Sequence, residues 1–398
     1  MNGASSARSA RHSTIETADV VELGLGAGLN SVGVTTADVL EPARSVLAQR
    51  KAAGMAGTMQ FTYRNPARST DPTRRLPEAL ALVVGAWAYP SGDEPAPDRP
   101  AARVARYARS DHYRRLEQAL EVVAERLSDH GYRAQVLADT NHLVDRNVAW
   151  RAGIGWYGKN TNLLVPGQGS WFVLGSVLTD APLEPTGTPE PDGCGRCTKC
   201  LDDCPTGAIV APGVVDATRC IAWLVQAGEP IPHHLRPAVG DRIYGCDDCQ
   251  EVCPPNQLSR PGEVEIRHRS PNGPQWLDVA WLLTADDDDI LARHGRWYIA
   301  DRDVDVIRRT ALVVLGNVAR PDDREPAVAL LRKYLSHTNP MLRGHALWAV
   351  RRLGLDRHLE GDVVDDETTA IEQAAEVEAR FPSDAWHHGD GVPSGARP

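Results

Sequence analysis

The chain has 398 residues, 42% of them hydrophobic, and a formal net charge of −10, enough for two or three domains with real cores. No run of eighteen apolar residues occurs, which excludes a membrane span, and residues 1–20 are Ser/Ala/Arg-rich without the apolar stretch of a secretory signal. A cytoplasmic protein with no membrane partner is expected.

The acidic balance argues against a nucleic-acid partner only on average. From Leu359 to Pro398 ten acidic residues face Arg380 and Arg397, whereas Asp301 to His358 holds eleven Lys/Arg against seven Asp/Glu. The tail, residues 359–398, is charged and poor in aromatics, as disordered segments are, and residues 1–17 are expected to be disordered too. Basic residues clustered on a folded segment are the footprint to look for in nucleic-acid binding.

Residues 18–185 read as an α/β (α+β) domain. Gly24-x-Gly26-x-Gly28 lacks the spacing of a dinucleotide fingerprint and has no good strand before it. Leu80–Tyr89 is a compact apolar run that predicts a buried strand. Asp111–His130 places Leu116, Leu120, Val123 and Leu127 on one helical face, with Gly131 as the cap. Arg133–Ala138 predicts a short strand that delivers Asp139 at its carboxyl end, where open α/β sheets commonly bind ligands. Trp171–Asp180 is a further strand candidate.

Residues 186–262 hold all eight cysteines. Cys194, Cys197, Cys200 and Cys204 run C-x2-C-x2-C-x3-C and are followed by Pro205; Cys220 precedes Cys246, Cys249 and Cys253, which are followed by Pro254. This is the ligation pattern of a bacterial two-cluster ferredoxin, in which the fourth cysteine of each run crosses to the other cluster. Cys194, Cys197, Cys200 and Cys253 are therefore assigned to one 4Fe–4S cluster, and Cys204, Cys220, Cys246 and Cys249 to a second. Zinc is the stronger rival, since C-x2-C pairs suit it, but two zinc sites need neither the tripled run nor the trailing prolines.

Residues 263–358 turn helical. Ile307-Arg308-x-x-Ala311-Leu312 returns 35 residues later as Leu342-Arg343-x-x-Ala346-Leu347, with another helix over Pro326–Leu335 between them. That weak repeat is of the HEAT type, and two copies predict a module that packs on its neighbour, either as a cap over the clusters or as a concave basic surface. Asp356-x-His358-x-x-Gly361 matches the pattern by which one class of cobalamin proteins offers a histidine to cobalt, but that motif belongs inside a doubly wound domain that continues downstream.

The stretches Asp139-Thr140-Asn141-His142-Leu143-Val144-Asp145-Arg146, Ala152-Gly153-Ile154-Gly155-Trp156-Tyr157-Gly158-Lys159-Asn160-Thr161 and Gly169-Ser170-Trp171-Phe172-Val173-Leu174-Gly175 resemble the signature of the epoxyqueuosine reductase family. Tyr63-Arg64-Asn65-Pro66 and Arg106-Tyr107-Ala108-Arg109 fit as well, and the likeness covers most of the chain. It implies that 18–185 is a cobalamin-binding catalytic domain, and it implies a relation to reductive dehalogenases. The implied reaction, on tRNA, turns an epoxide into an alkene and water with two electrons and two protons. Asp139 would be the general acid, kept protonated by a desolvated pocket. Arg64, Asp139, Lys159, Asn160 and Thr161 would contact cobalamin, and a low-potential electron donor and a monomeric state are expected. The chain departs from the family's G-x-D-Y-H run with Ser110-Asp111-His112-Tyr113-Arg114, and Asn141-His142 stand where a proline is usual. Two alternatives stay open from the residues alone: a dehalogenase-like reductase of a small molecule, and a plain electron carrier.

Overall fold

The computed structural model describes residues 13–89, 92–258 and 273–359. The expected disordered tail lies outside these residues except for Leu359, as does most of the expected N-terminal segment.

Four strands form the main sheet: β1 (Ser31–Thr36), β2 (Ala81–Ala88), β3 (Ala134–Ala138) and β4 (Phe172–Thr179), in the order β1-β2-β4-β3. Every neighbouring pair is antiparallel. The α+β description therefore applies, and the rule about carboxyl ends of parallel strands gives no support to Asp139. Strand β2 is buried along its whole length because it is covered on both faces. Ala81, Val83 and Trp87 join one core and Leu82, Val84 and Ala86 the other, as the twofold alternation of a strand requires.

The first core is filled by α1 (Thr17–Gly26) and α2 (His112–Asp129). Helix α2 buries Leu116, Leu120, Val123 and Leu127, the stripe expected from its periodicity, and the Asp111 side chain caps it by accepting from the Arg114 amide. Gly24 packs on Val32 in the last turn of α1, Gly26 ends the helix, and Gly28, at φ 106, turns the chain towards β1. The second core takes Leu143, Val148 and Ala149 from the segment after Asp139, where α3 (Asp145–Arg151) lies.

The cysteine region and the C-terminal helices are sewn to this unit. Ala101–Val104 sits between Arg242–Tyr244 and Trp276–Asp278 in a second sheet, which joins three distant parts of the chain. One core unites Ile221, Val225 and Ile243 with Ile307, Ala311, Leu312, Leu342 and Ala346, which come from α4 (Asp305–Val318) and α6 (Pro340–Arg352). Between them α5 (Arg324–Leu335) adds Ala327, Leu331 and Tyr334. The C-terminal helices thus pack directly on the cysteine region.

Three of their arginines, Arg308, Arg309 and Arg343, are committed inside the protein, while the others are exposed. Arg309 is fully buried and donates to the carbonyls of Leu224 at 2.8 Å, Ala227 at 2.6 Å and Glu229. Arg343 donates to the carbonyls of His337 and Thr338, and Arg308 pairs with Asp287 and Asp305. Three of the eleven Lys/Arg counted from sequence are thus withdrawn from the surface, and the other eight are exposed. Arg309→Met is expected to destabilise the protein by about 3 kcal/mol, since buried carbonyls left without donors carry their full desolvation cost. A urea midpoint equal to that of the parent would contradict this.

Candidate functional site

The four thiols of Cys194, Cys197, Cys200 and Cys253 line one cavity of ≈ 120 Å³, together with Trp156, Lys159, Asn160 and Lys199. Burial, then Cys194, Cys200 and Cys197, pushes the Cys253 thiol up to about 12, and Cys200 is raised by burial and by Cys194 and Cys197. The other four form a second neighbourhood. Burial raises the Cys249 thiol most, followed by Cys246, Cys220, Cys200 and Cys204; Cys220 responds to Cys204, and Cys246 to Cys220. Crowded thiols shielded from water favour protonation unless a metal group displaces the protons. Among the described residues no three His, Cys, Asp or Glu close round a single-ion position, whereas the first four cysteines line a space suited to a larger body.

The two neighbourhoods face different surroundings. Around the first, Gly195, Arg196, Thr198 and Lys199 are exposed. The second lies towards Asp139: its Cys220 thiol feels Arg146, on the helix that follows the Asp139 loop, and Tyr244, two residues from Cys246, feels Asp139. Cys200 and Cys249 stand where the two sets meet.

The Gly158–Asn162 turn holds both sets in register. It closes through Gly158 N–H to the Asn162 carbonyl at 2.8 Å, with Thr161 left-handed at φ 66. A Cβ on Gly158 would lie 2.4 Å from Leu164 and 2.6 Å from the Asn160 side chain, so the turn admits no larger residue. Lys159 Nζ donates to the carbonyls of Gly195 at 2.7 Å and Cys197 at 2.9 Å. Asn160, almost fully buried, donates to the Cys249 carbonyl at 3.0 Å, and Asn162 Nδ2 lies 3.9 Å from Cys249 Sγ. Lys159 and Asn160, expected on a corrinoid, thus direct their side chains to the cysteine loops. The reason is steric: so tight a turn, wedged between both loops, leaves their polar groups no other outlet.

A second latch runs through Ser170. Its amide donates to Asn256 Oδ1 at 2.6 Å, and its hydroxyl accepts from Gln250 and Asn256. Gly169, at φ 76, lets Asn256 approach to where a Cβ would be only 2.1 Å away.

Asp139 ends the edge strand β3 in the left-handed region, at φ 48, a conformation that aspartate tolerates better than most residues. Its carboxylate has no hydrogen bond or ion pair with a side chain or backbone group among the described residues. The residue is exposed, yet the surrounding protein raises its pKa by desolvation. Tyr113 and Asp145 stand beside it. Burial, then Asp139 and Asp145, raises the Tyr113 hydroxyl, while burial and then Asp139 push Asp145 well above the usual carboxylate range. These two neighbours escape sequence reasoning, although Tyr113 lies in the run that departs from the family pattern. The same departure turns His112 inward against Tyr89, where burial lowers its pKa to about 4.

The Asp139 loop is anchored at both ends. Ser69 Oγ donates to the Asn141 carbonyl at 2.8 Å, which ties the loop to the Arg64-Asn65-Pro66 segment. Arg146 donates to the Thr161 carbonyl at 3.3 Å, which ties it to the turn just described. The Thr161 hydroxyl and the exposed Arg64 guanidinium have no partner among the described residues. His358 lies in an exposed turn at the far end of the helical module.

Residues 193–256 match the family model of a 4Fe-4S double cluster binding domain. Over 357 residues the chain is 34% identical to an epoxyqueuosine reductase of Xanthomonas campestris pv. campestris, spanning 83% of this chain and 94% of the relative. An epoxyqueuosine reductase structure from Bacillus subtilis, described as having its catalytic aspartate loop swung out of the active site, superposes with TM-score 0.79 at 28% identity, covering 90% of this chain and 97% of that one. Another, with an epoxyqueuosine-modified tyrosine tRNA stem loop, gives TM-score 0.77 at 30% identity over the same shares.

Proposed function

The chain belongs to the epoxyqueuosine reductase family, and from that premise we propose that it reduces epoxyqueuosine in tRNA, with Asp139 as the proton donor. The observation that carries this reading is a desolvated carboxyl without a polar partner among the described residues, on a loop that Arg146 ties to the Gly158–Asn162 turn, whose Lys159 and Asn160 donate in turn to the two cysteine loops. Cys194, Cys197, Cys200 and Cys253 would hold one 4Fe–4S cluster and Cys204, Cys220, Cys246 and Cys249 the other; the cavity shared by the first four supports that crossover. For cobalamin, Thr161 and Arg64 have side chains without a polar partner among the described residues and belong to the two segments that anchor the Asp139 loop, which fits contact with a large polar-edged cofactor. Bound, these groups would supply electrons from a low-potential donor, two for each epoxide opened to an alkene and water.

The protein's own task is the proton. Desolvation keeps Asp139 protonated above the ordinary carboxylate range, so a proton is available as the epoxide oxygen leaves. Asp145, buried next to it, resists ionising for the same reason and spares Asp139 a neighbouring negative charge. A plain electron carrier has no use for such a carboxyl.

The test is anaerobic incubation with cobalamin, a reductant and epoxyqueuosine-containing tRNA, followed by nucleoside analysis. Queuosine should appear, and tRNA affinity should fall with salt, because phosphate contacts release counterions. Protein that binds cobalamin yet leaves the epoxide intact and shows no salt-sensitive tRNA binding would remove the proposal.

A further inference from the structure

We propose that Lys159 sets the reduction potential of the first cluster, raising it by fixing a positive charge at the rim of the thiol cavity. The inference rests on the cluster reading above and adds a role for a residue that a corrinoid-facing assignment would leave unexplained.

The geometry comes in three parts. Lys159 lines the cavity formed by Cys194, Cys197, Cys200 and Cys253. Its ammonium is held there by two carbonyls of the first cysteine loop, at 2.7 Å and 2.9 Å, so the charge cannot swing away into water. Independently, the indole Nε1 of Trp156, whose ring lines the same cavity, is buried without a protein hydrogen-bond partner among the described residues. A buried N–H donor without a partner is uncommon, and a cluster sulfur is the kind of acceptor that would satisfy it. Charge and donor therefore converge on one space.

A cluster ligated by four thiolates is anionic, and reduction adds one further negative charge. A nearby fixed cation stabilises the reduced state more than the oxidised one, and N–H donors to sulfur act in the same direction. Lys199 also lines the cavity, but it is exposed and its ammonium has no partner among the described residues, so solvent screens it. The difference between the two lysines is position held against position free.

The experiment is a potentiometric titration of the two-cluster protein followed by electron paramagnetic resonance, with iron content measured alongside. In Lys159→Met one of the two one-electron steps should move to lower potential by about tenfold in the reduction equilibrium, 59 mV for a one-electron couple, with the other step in place. Lys159→Arg should stay near the parent, Lys159→Gln should fall between, and Lys199→Gln should shift much less. A merely structural lysine would change iron content and leave the potential of retained clusters alone. Coincident potentials in parent, Met and Gln proteins with full iron overturn the proposal. Loss of the first cluster in all three Lys159 variants also overturns it, by making Lys159 a residue of cluster retention. If the parent itself assembles no pair of clusters, the reading beneath the proposal fails instead, and the iron content of the parent shows which has happened.

Discussion

Asp139→Asn is expected to lower kcat by roughly 10²–10⁴-fold, the range a positioned general acid contributes, while both clusters and tRNA affinity persist. The substitution is nearly isosteric and removes no bond, because the carboxylate has no partner among the described residues. Asparagine also tolerates the left-handed backbone at φ 48, so the loop keeps its shape. What disappears is the transferable proton. The pH dependence follows from the direction of the shift. Desolvation raises the Asp139 pKa, so the protonated form survives to higher pH than in an ordinary aspartate, and activity should fall as pH rises through that raised value. The Asn variant should lack this limb. A variant with unchanged kcat and an unchanged pH profile would take the proton-donor role away from Asp139.

How much of this was legible in the chain depends on the kind of information each feature carries. The strand at Ala81–Ala88 and the helix at His112–Asp129 were plain, because burial on two faces or on one face writes a run or a period directly into the sequence. The direction of the strands was not, since periodicity is the same for parallel and antiparallel neighbours, and the antiparallel sheet removed one argument for Asp139. The cysteine spacing gave the crossover pairing that the shared cavity now supports. For the arginines of the helical repeat, sequence counts charge and cannot tell a guanidinium facing solvent from one facing the carbonyls of residues 224 to 229. Lys159 and Asn160 were singled out as cofactor contacts from their Gly-flanked polar turn, and what that pattern does not record is that the turn's neighbours are the cysteine loops. Tyr113 joined the Asp139 site through a pairing of helix start and strand end that no local pattern records.

The crossover makes the most demanding prediction. Cys253→Ser, although Cys253 ends the second run, should damage the first cluster, and Cys204→Ser, although Cys204 ends the first run, should damage the second. Each variant should retain about half the iron of the parent, since a cluster needs its four thiolates. Turnover should drop to background in both, because the proposed reduction draws on both clusters. The structural basis is that Cys253 shares a cavity with Cys194, Cys197 and Cys200, while Cys204 accepts a hydrogen bond from the Ala208 amide at 3.3 Å and neighbours Cys220 and Cys249. The surviving clusters distinguish the variants. In Cys204→Ser the remaining cluster is the one beside Lys159, so its potential should respond to Lys159→Met. In Cys253→Ser the remaining cluster lies beside Asn162 and should not respond. The opposite pattern would mean that each run ligates its own cluster, and the shared cavity would then need another explanation.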